Sequence, residues 1–85
     1  MKVYAVKEQY TFESVTESRV TLYDSEKKAL AKFKAVVEEE KKNSWINELS
    51  DVIIETDTEG DFFAYVDGRG CEYQTDIVVQ ELVVY

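Results

Sequence analysis

The chain contains no histidine and no proline, a single cysteine and only three glycines. Without histidine it lacks the commonest general base at neutral pH and the commonest nitrogen ligand for zinc. One thiol, Cys71, can neither close an internal disulfide nor assemble a structural zinc site, so packing alone must hold the fold, as suits a reducing compartment. The five serines, Ser14, Ser18, Ser25, Ser44 and Ser50, have no imidazole to activate them, and no Gly-x-Ser-x-Gly turn presents one as a nucleophile. Neither GxxxxGK[ST] nor GxGxxG occurs, and Gly68-Arg69-Gly70 reads as a turn rather than a phosphate cradle. No cofactor is expected, and the chain is not expected to be an enzyme.

Long hydrophobic runs are also missing. Nothing approaches the roughly 20 apolar residues needed to span a bilayer. The opening Met1-Lys2-Val3-Tyr4-Ala5-Val6-Lys7-Glu8 is charged too early for a secretory signal, so a cytoplasmic protein without membrane contact is expected.

Basic residues are scarce in one half only. Residues 1–47 hold nine lysines and arginines against eight carboxylates, whereas residues 48–85 hold ten carboxylates against the lone Arg69, so the net charge of −8 resides in the second half. Direct nucleic-acid binding is disfavoured, because that affinity comes from Lys and Arg displacing counterions from phosphates. A basic protein surface is the expected partner. The candidate contact residues are Asp51, Glu55, Asp57, Glu59, Asp61, Asp67, Glu72 and Asp76.

What is present is enough for one core. With 85 residues, 45% of them apolar and 13% aromatic, the chain lies outside the disordered class and has length for a single domain, 1–85. Tyr4, Val6, Glu8, Tyr10 and Phe12 recur at period two, interrupted once by Glu8, as in a strand with one mostly buried face. The polar stretch from Glu13 to Ser18 is read as the turn, followed by a second strand over Arg19–Tyr23 with Val20 and Leu22 on one face. Asp24 or Ser25 can cap a helix, with Glu26 favourable at its start. Ala29, Leu30, Phe33, Val36 and Val37 then form an apolar stripe. Lys41 and Lys42 suit the end of that helix, and Trp45, Ile46 and Leu49 could form a short second one. Strands are predicted over Asp51–Asp57, Asp61–Val66 and Thr75–Tyr85, with a type I′ turn at Asp67-Gly68. The last strand is apolar on both faces and is therefore read as well covered. The fold class is α+β: a single antiparallel sheet in ββαβββ order, with one amphipathic helix packed on one face.

Three further features have bland readings that outweigh sharper ones. Glu55-x-Asp57-x-Glu59-Gly60-Asp61 has the alternating carboxylates of a calcium loop, but Val66 stands where a bidentate Glu is required, so an acidic hairpin is favoured. Cys71 has only Arg69 nearby to lower its pKa and is read as a structural thiol. The run Glu38-Glu39-Glu40-Lys41-Lys42 is read as solvated helix surface with a Glu38–Lys42 pair. Some of Tyr4, Tyr10, Tyr23, Tyr65, Tyr73 and Tyr85 must reach the surface, where tyrosine suits binding.

In size, acidity and layout, with its Met1-Lys2-Val3-Tyr4 opening strand, charged hairpin and Asp24-Ser25-Glu26-Lys27-Lys28-Ala29 helix start, the chain resembles small accessory proteins of phages and mobile elements, including some anti-CRISPR proteins. The resemblance covers the layout and carries no motif, so it assigns no functional residue. It implies an acidic surface that occupies a basic site on a host nuclease or effector in place of nucleic acid. The alternative is a structural or regulatory homo-oligomeric module of an intracellular complex. A homodimer paired through an exposed sheet edge would fit that alternative.

Overall fold

In the computed structural model, which describes residues 1–84, the chain forms one five-stranded antiparallel sheet with two helices on one face. The strands are β1 (Lys2–Phe12), β2 (Val15–Tyr23), β3 (Val52–Thr58), β4 (Asp61–Val66) and β5 (Tyr73–Val83). The helices are α1 (Glu26–Asn43) and α2 (Trp45–Glu48), and the sheet order is β2-β1-β5-β4-β3. Tyr85, the predicted end of the last strand, lies outside the described residues.

Period-two patterning decides which side of each strand meets the helices. Tyr4, Val6, Glu8, Tyr10 and Phe12 of β1 share the helix-facing side with Tyr73, Thr75, Ile77 and Val79 of β5, because partners across an antiparallel ladder point the same way. Phe62, Ala64 and Val66 continue this face on β4. Ala29, Phe33 and Val37, one helical turn apart, bury the α1 stripe against it, and Trp45 of α2 closes one end over Tyr73. Ser25 caps α1 by accepting from the Lys28 N–H at 3.2 Å. Ser44 separates the helices, donating its hydroxyl to the Glu40 carbonyl at 2.5 Å and accepting from the Ile46 N–H at 3.2 Å.

Three expectations are corrected, and that for Val20 and Leu22 is made more specific. The first turn is only Glu13-Ser14, both at positive φ (50° and 70°), so β2 starts at Val15. Two positive-φ residues match the twist of a hairpin, and Glu and Ser carry no sequence signal for that conformation. Val20 and Leu22 do share a face, but it is the one without helices, where they are 59% and 60% exposed. Asp67-Gly68 is not a type I′ turn, because only Gly68 has positive φ (75°) and the chain makes a second turn through Arg69–Glu72 before β5. The last strand, β5, is central, between β1 and β4, yet only its face with Tyr73, Thr75, Ile77 and Val79 is covered by helices. The sheet edges are therefore β2 and β3, and β3 is blunted by a register shift at Glu55.

Candidate functional site

The eight carboxylates named from the sequence do not converge. Asp51, Asp67 and Glu72 lie at the end of the sheet where β3 begins and β4 ends, with the Asp67 N–H bonded to the Asp51 carbonyl at 2.9 Å. Glu59 and Asp61 lie at the opposite end, in and after the β3–β4 turn, and Glu55 sits at the edge irregularity. Two of the eight already have cations: Asp57 pairs with Lys41 of α1 at 2.6 Å and Glu72 with Arg69 at 2.8 Å. Asp76 is on the helix-free face, diagonal to Asp61. Burial, with the Asp61 charge adding, raises its pKa above the ordinary 3.8.

Seven of the ten carboxylates in residues 48–85 have no lysine or arginine partner among the described residues. Eight of the ten are exposed, Glu72 and Asp76 being half-buried. The second half therefore displays charge over a molecule 43 Å in its longest extent instead of concentrating it.

The concentrated acidity lies elsewhere. Residues 32, 36, 39 and 40 of α1 look toward β1 and β2, and between them is an open cavity of about 540 Å³. Its acidic lining residues are Glu8, Glu17, Glu39 and Glu40, with Arg19 and Lys32 the basic ones and Tyr10, Phe12 and Trp45 the aromatic ones. Glu8 is 4% exposed, although it occupies a position where β1 otherwise carries Tyr4, Val6, Tyr10 and Phe12. Its Oε1 accepts from the Tyr10 hydroxyl at 2.5 Å, while its buried Oε2 has no hydrogen-bond partner. Burial foremost, then that bond to Glu8 and its negative charge, hold the Tyr10 phenol well above its ordinary pKa of 10.0, so the hydroxyl remains a donor. Glu40 also has a raised pKa: burial outweighs the favourable Ser44 hydroxyl, and the charges of Glu8 and Glu39 add to it.

Arg19 is the cross-strand neighbour of Glu8, yet no ion pair joins Arg19 or Lys32 to a carboxylate among the described residues. Glu38 and Lys42 do not pair either, so the helix run is not simply a solvated ladder: Glu40 turns toward the sheet and Lys41 toward β3. Sequence reasoning passed over this cavity because the first half is neutral when counted along the chain. The one available signal was Glu8, the polar residue that breaks the apolar alternation of β1.

A second open cavity of about 610 Å³ flanks α1 on the β3 side, between Leu30, Lys34, Val37 and the end of β3 with Glu59 of the turn. Lys41 crosses its end to reach Asp57 and stands 5.6 Å from the centre of the Phe62 ring. Cys71 is exposed in the turn before β5, which corrects its reading as a structural thiol.

No protein-family model matches the chain, and comparison with curated proteins and with solved structures gives no significant match.

Proposed function

We propose that the chain is a non-catalytic acidic binding protein that engages a basic protein surface and competes there with nucleic acid, in the manner of a phage-type inhibitor of a host nuclease or effector. The observation that carries this reading is the display, over residues 48–84, of seven carboxylate side chains with no lysine or arginine partner among the described residues. Carboxylates on a rigid sheet can stand where phosphates would, opposite Lys and Arg, and inhibition of this kind acts by occupancy, one molecule per target. Once a candidate target has been captured from host lysate and purified, the deciding measurement is on the pair. Affinity should weaken steeply as salt rises, and added DNA or RNA should displace the protein. Asp57 is engaged with Lys41, so the cleaner charge reversal is Glu59→Lys with Asp61→Lys, which should weaken binding and flatten its salt dependence. Simultaneous binding of protein and nucleic acid, or inhibition that grows with time at one equivalent, would refute the reading.

One observation favours the homo-oligomeric alternative. β2 is an unbulged nine-residue edge, and Val20 and Leu22 extend from it onto a sheet face that no helix covers. If that reading is right, sedimentation at moderate salt should show a dimer that Val20→Lys with Leu22→Lys converts to monomer. A monomer at both low and moderate salt excludes it.

A further inference from the structure

We propose that the cavity between α1 and the β1–β2 hairpin is a receptor for one arginine side chain of the basic partner, with Glu8 as its anchor and Tyr10 and Trp45 as its aromatic walls. The proposal rests on the reading of the chain as a binder of basic surfaces and places a specific contact on the opposite flank of α1 from Asp57 and Glu59.

Three independent features support it. The first is Glu8, nine-tenths buried and lining the cavity with one carboxylate oxygen bonded to Tyr10 and the other unpartnered. That oxygen is sealed from solvent and without a donor, which is costly to the fold, and an N–H donor admitted beside it by a small movement of the cavity wall would offset that cost. The second is charge: four carboxylates against Arg19 and Lys32 leave the lining net negative, and Glu40 is close enough to Glu8 for the two to repel. The third is the aromatic content. Trp45 and Phe12 both pack on Tyr73, at 5.9 Å and 5.6 Å between ring centres, which fixes them at one end of the cavity while Tyr10 holds the Glu8 end.

Arginine fits this set better than lysine. Its planar guanidinium presents several N–H donors at once, suited to a cavity lined by more than one carboxylate, and its flat faces stack on aromatic rings. A bare metal ion is a poorer match, since no group of three or more potential metal ligands converges among the described residues. The competitor is internal. Arg19, directly across the ladder from Glu8, could swing inward and satisfy the same oxygen.

The test uses the whole protein and small probes, so it does not depend on finding the partner. N-acetyl-arginine amide is titrated at constant ionic strength and followed by the fluorescence and indole N–H resonance of Trp45, the sole tryptophan. The neutral isostere N-acetyl-citrulline amide serves as control. The proposal expects saturable binding of the arginine probe, with citrulline weaker by about tenfold or more, as for loss of a charged hydrogen-bonding partner. Glu8→Gln should weaken the arginine probe by a similar factor, whereas Glu59→Lys with Asp61→Lys should leave it unchanged. Equal responses to arginine and citrulline, or undiminished binding in a folded Glu8→Gln variant, would overturn the proposal. Binding that appears only in Arg19→Ala would also overturn it, by showing that the chain's own arginine fills the cavity. The charge-reversal experiment above can fail while this one succeeds, and the reverse, so the two readings are separable.

Discussion

Glu8→Leu is expected to stabilise the fold while removing arginine binding. The native residue keeps one carboxylate oxygen buried and without a donor, at 4% exposure, in the middle of β1. Leucine restores the alternation of Tyr4, Val6, Tyr10 and Phe12 and leaves only the Tyr10 hydroxyl short of a partner. That loss is small, because Tyr10 is half-buried and borders an open cavity. Replacing buried ionic groups by apolar ones of similar size often stabilises by about 1–4 kcal/mol, and the lower half of that range applies where one hydrogen bond is sacrificed. Tyr10→Phe alone runs the other way: it strips the remaining donor from the carboxylate and should destabilise by about 1–3 kcal/mol. In the double variant the Tyr10→Phe penalty should nearly vanish, so the cycle should give a coupling of about 1–3 kcal/mol.

Urea unfolding followed by Trp45 emission measures all four proteins, and an unchanged m-value certifies that the same transition is compared. For a chain of this size a change of 1 kcal/mol moves the melting temperature by about 4–8 °C, so the effects are easily resolved. The reasoning fails if Glu8→Leu is destabilised by a kilocalorie or more at constant m. That result would mean that Glu8 has a full set of partners in solution, with Arg19 the nearest to supply them. A gain in stability accompanied by loss of the arginine-probe response would instead mark Glu8 as a residue whose presence serves binding at the expense of the fold.

Three further outcomes are expected. Folded Glu40 and Asp76 hold their protons more tightly than their unfolded counterparts, so folding takes up protons, and thermal stability should rise as pH falls from neutral toward the ordinary carboxylate values of 4.5 and 3.8. Glu40→Gln should flatten that rise, and melting curves showing stability falling over the same interval would contradict it. Gly60→Ala should cost about 1 kcal/mol through its φ of 87° alone, since the added methyl group meets Leu30 and Val79 at an ordinary 3.8 Å; a loss several times larger would contradict the geometry of the β3–β4 turn. Asp57→Ala should cost at most about 1 kcal/mol, because its pair with Lys41 is partly exposed, and that cost should shrink at high salt in denaturation experiments.

Local patterning made most of the elements readable. The Asp61–Val66 strand, the Ser25 cap, the Ala29–Phe33–Val37 stripe and the helix-facing side of β1 all follow from period and capping chemistry that a few neighbouring residues determine. Three things depended on partners far along the chain. The central place of β5 comes from its pairing with β1, 61 to 81 residues upstream, and nothing local in its apolar run distinguishes a strand covered on two faces from a central strand covered on one. The Glu13-Ser14 turn adopts positive φ without Gly or Asn, so its position is imposed by the register of β1 on β2. Val20 and Leu22 alternate as a buried pair would, and only the placement of α1 assigns them to the open face.

The candidate site was illegible for a related reason. Charge counted along the sequence averages Glu8 and Glu17 with lysines that point elsewhere, whereas folding sorts the same residues by face. The odd-numbered residues of β2 that face the helix bring Glu17 and Arg19 opposite Tyr10 and Glu8, and the α1 turn carrying Glu39 and Glu40 closes over them. Lys34 and Lys41, from the same helix, go to the β3 side. Folding thus sets an acidic cavity on one flank of α1 and, on the other, one whose three lysines are balanced by Glu38, Asp57 and Glu59. If charge alone set the function, the exposed carboxylates of the second half would suffice, and a buried carboxylate with an unpartnered oxygen would be a cost without a return. Its position, midway along an otherwise apolar strand and beside a protonated tyrosine, is what the proposed contact with one cationic side chain would require, while under the same proposal the dispersed surface carboxylates would attract a basic surface more generally.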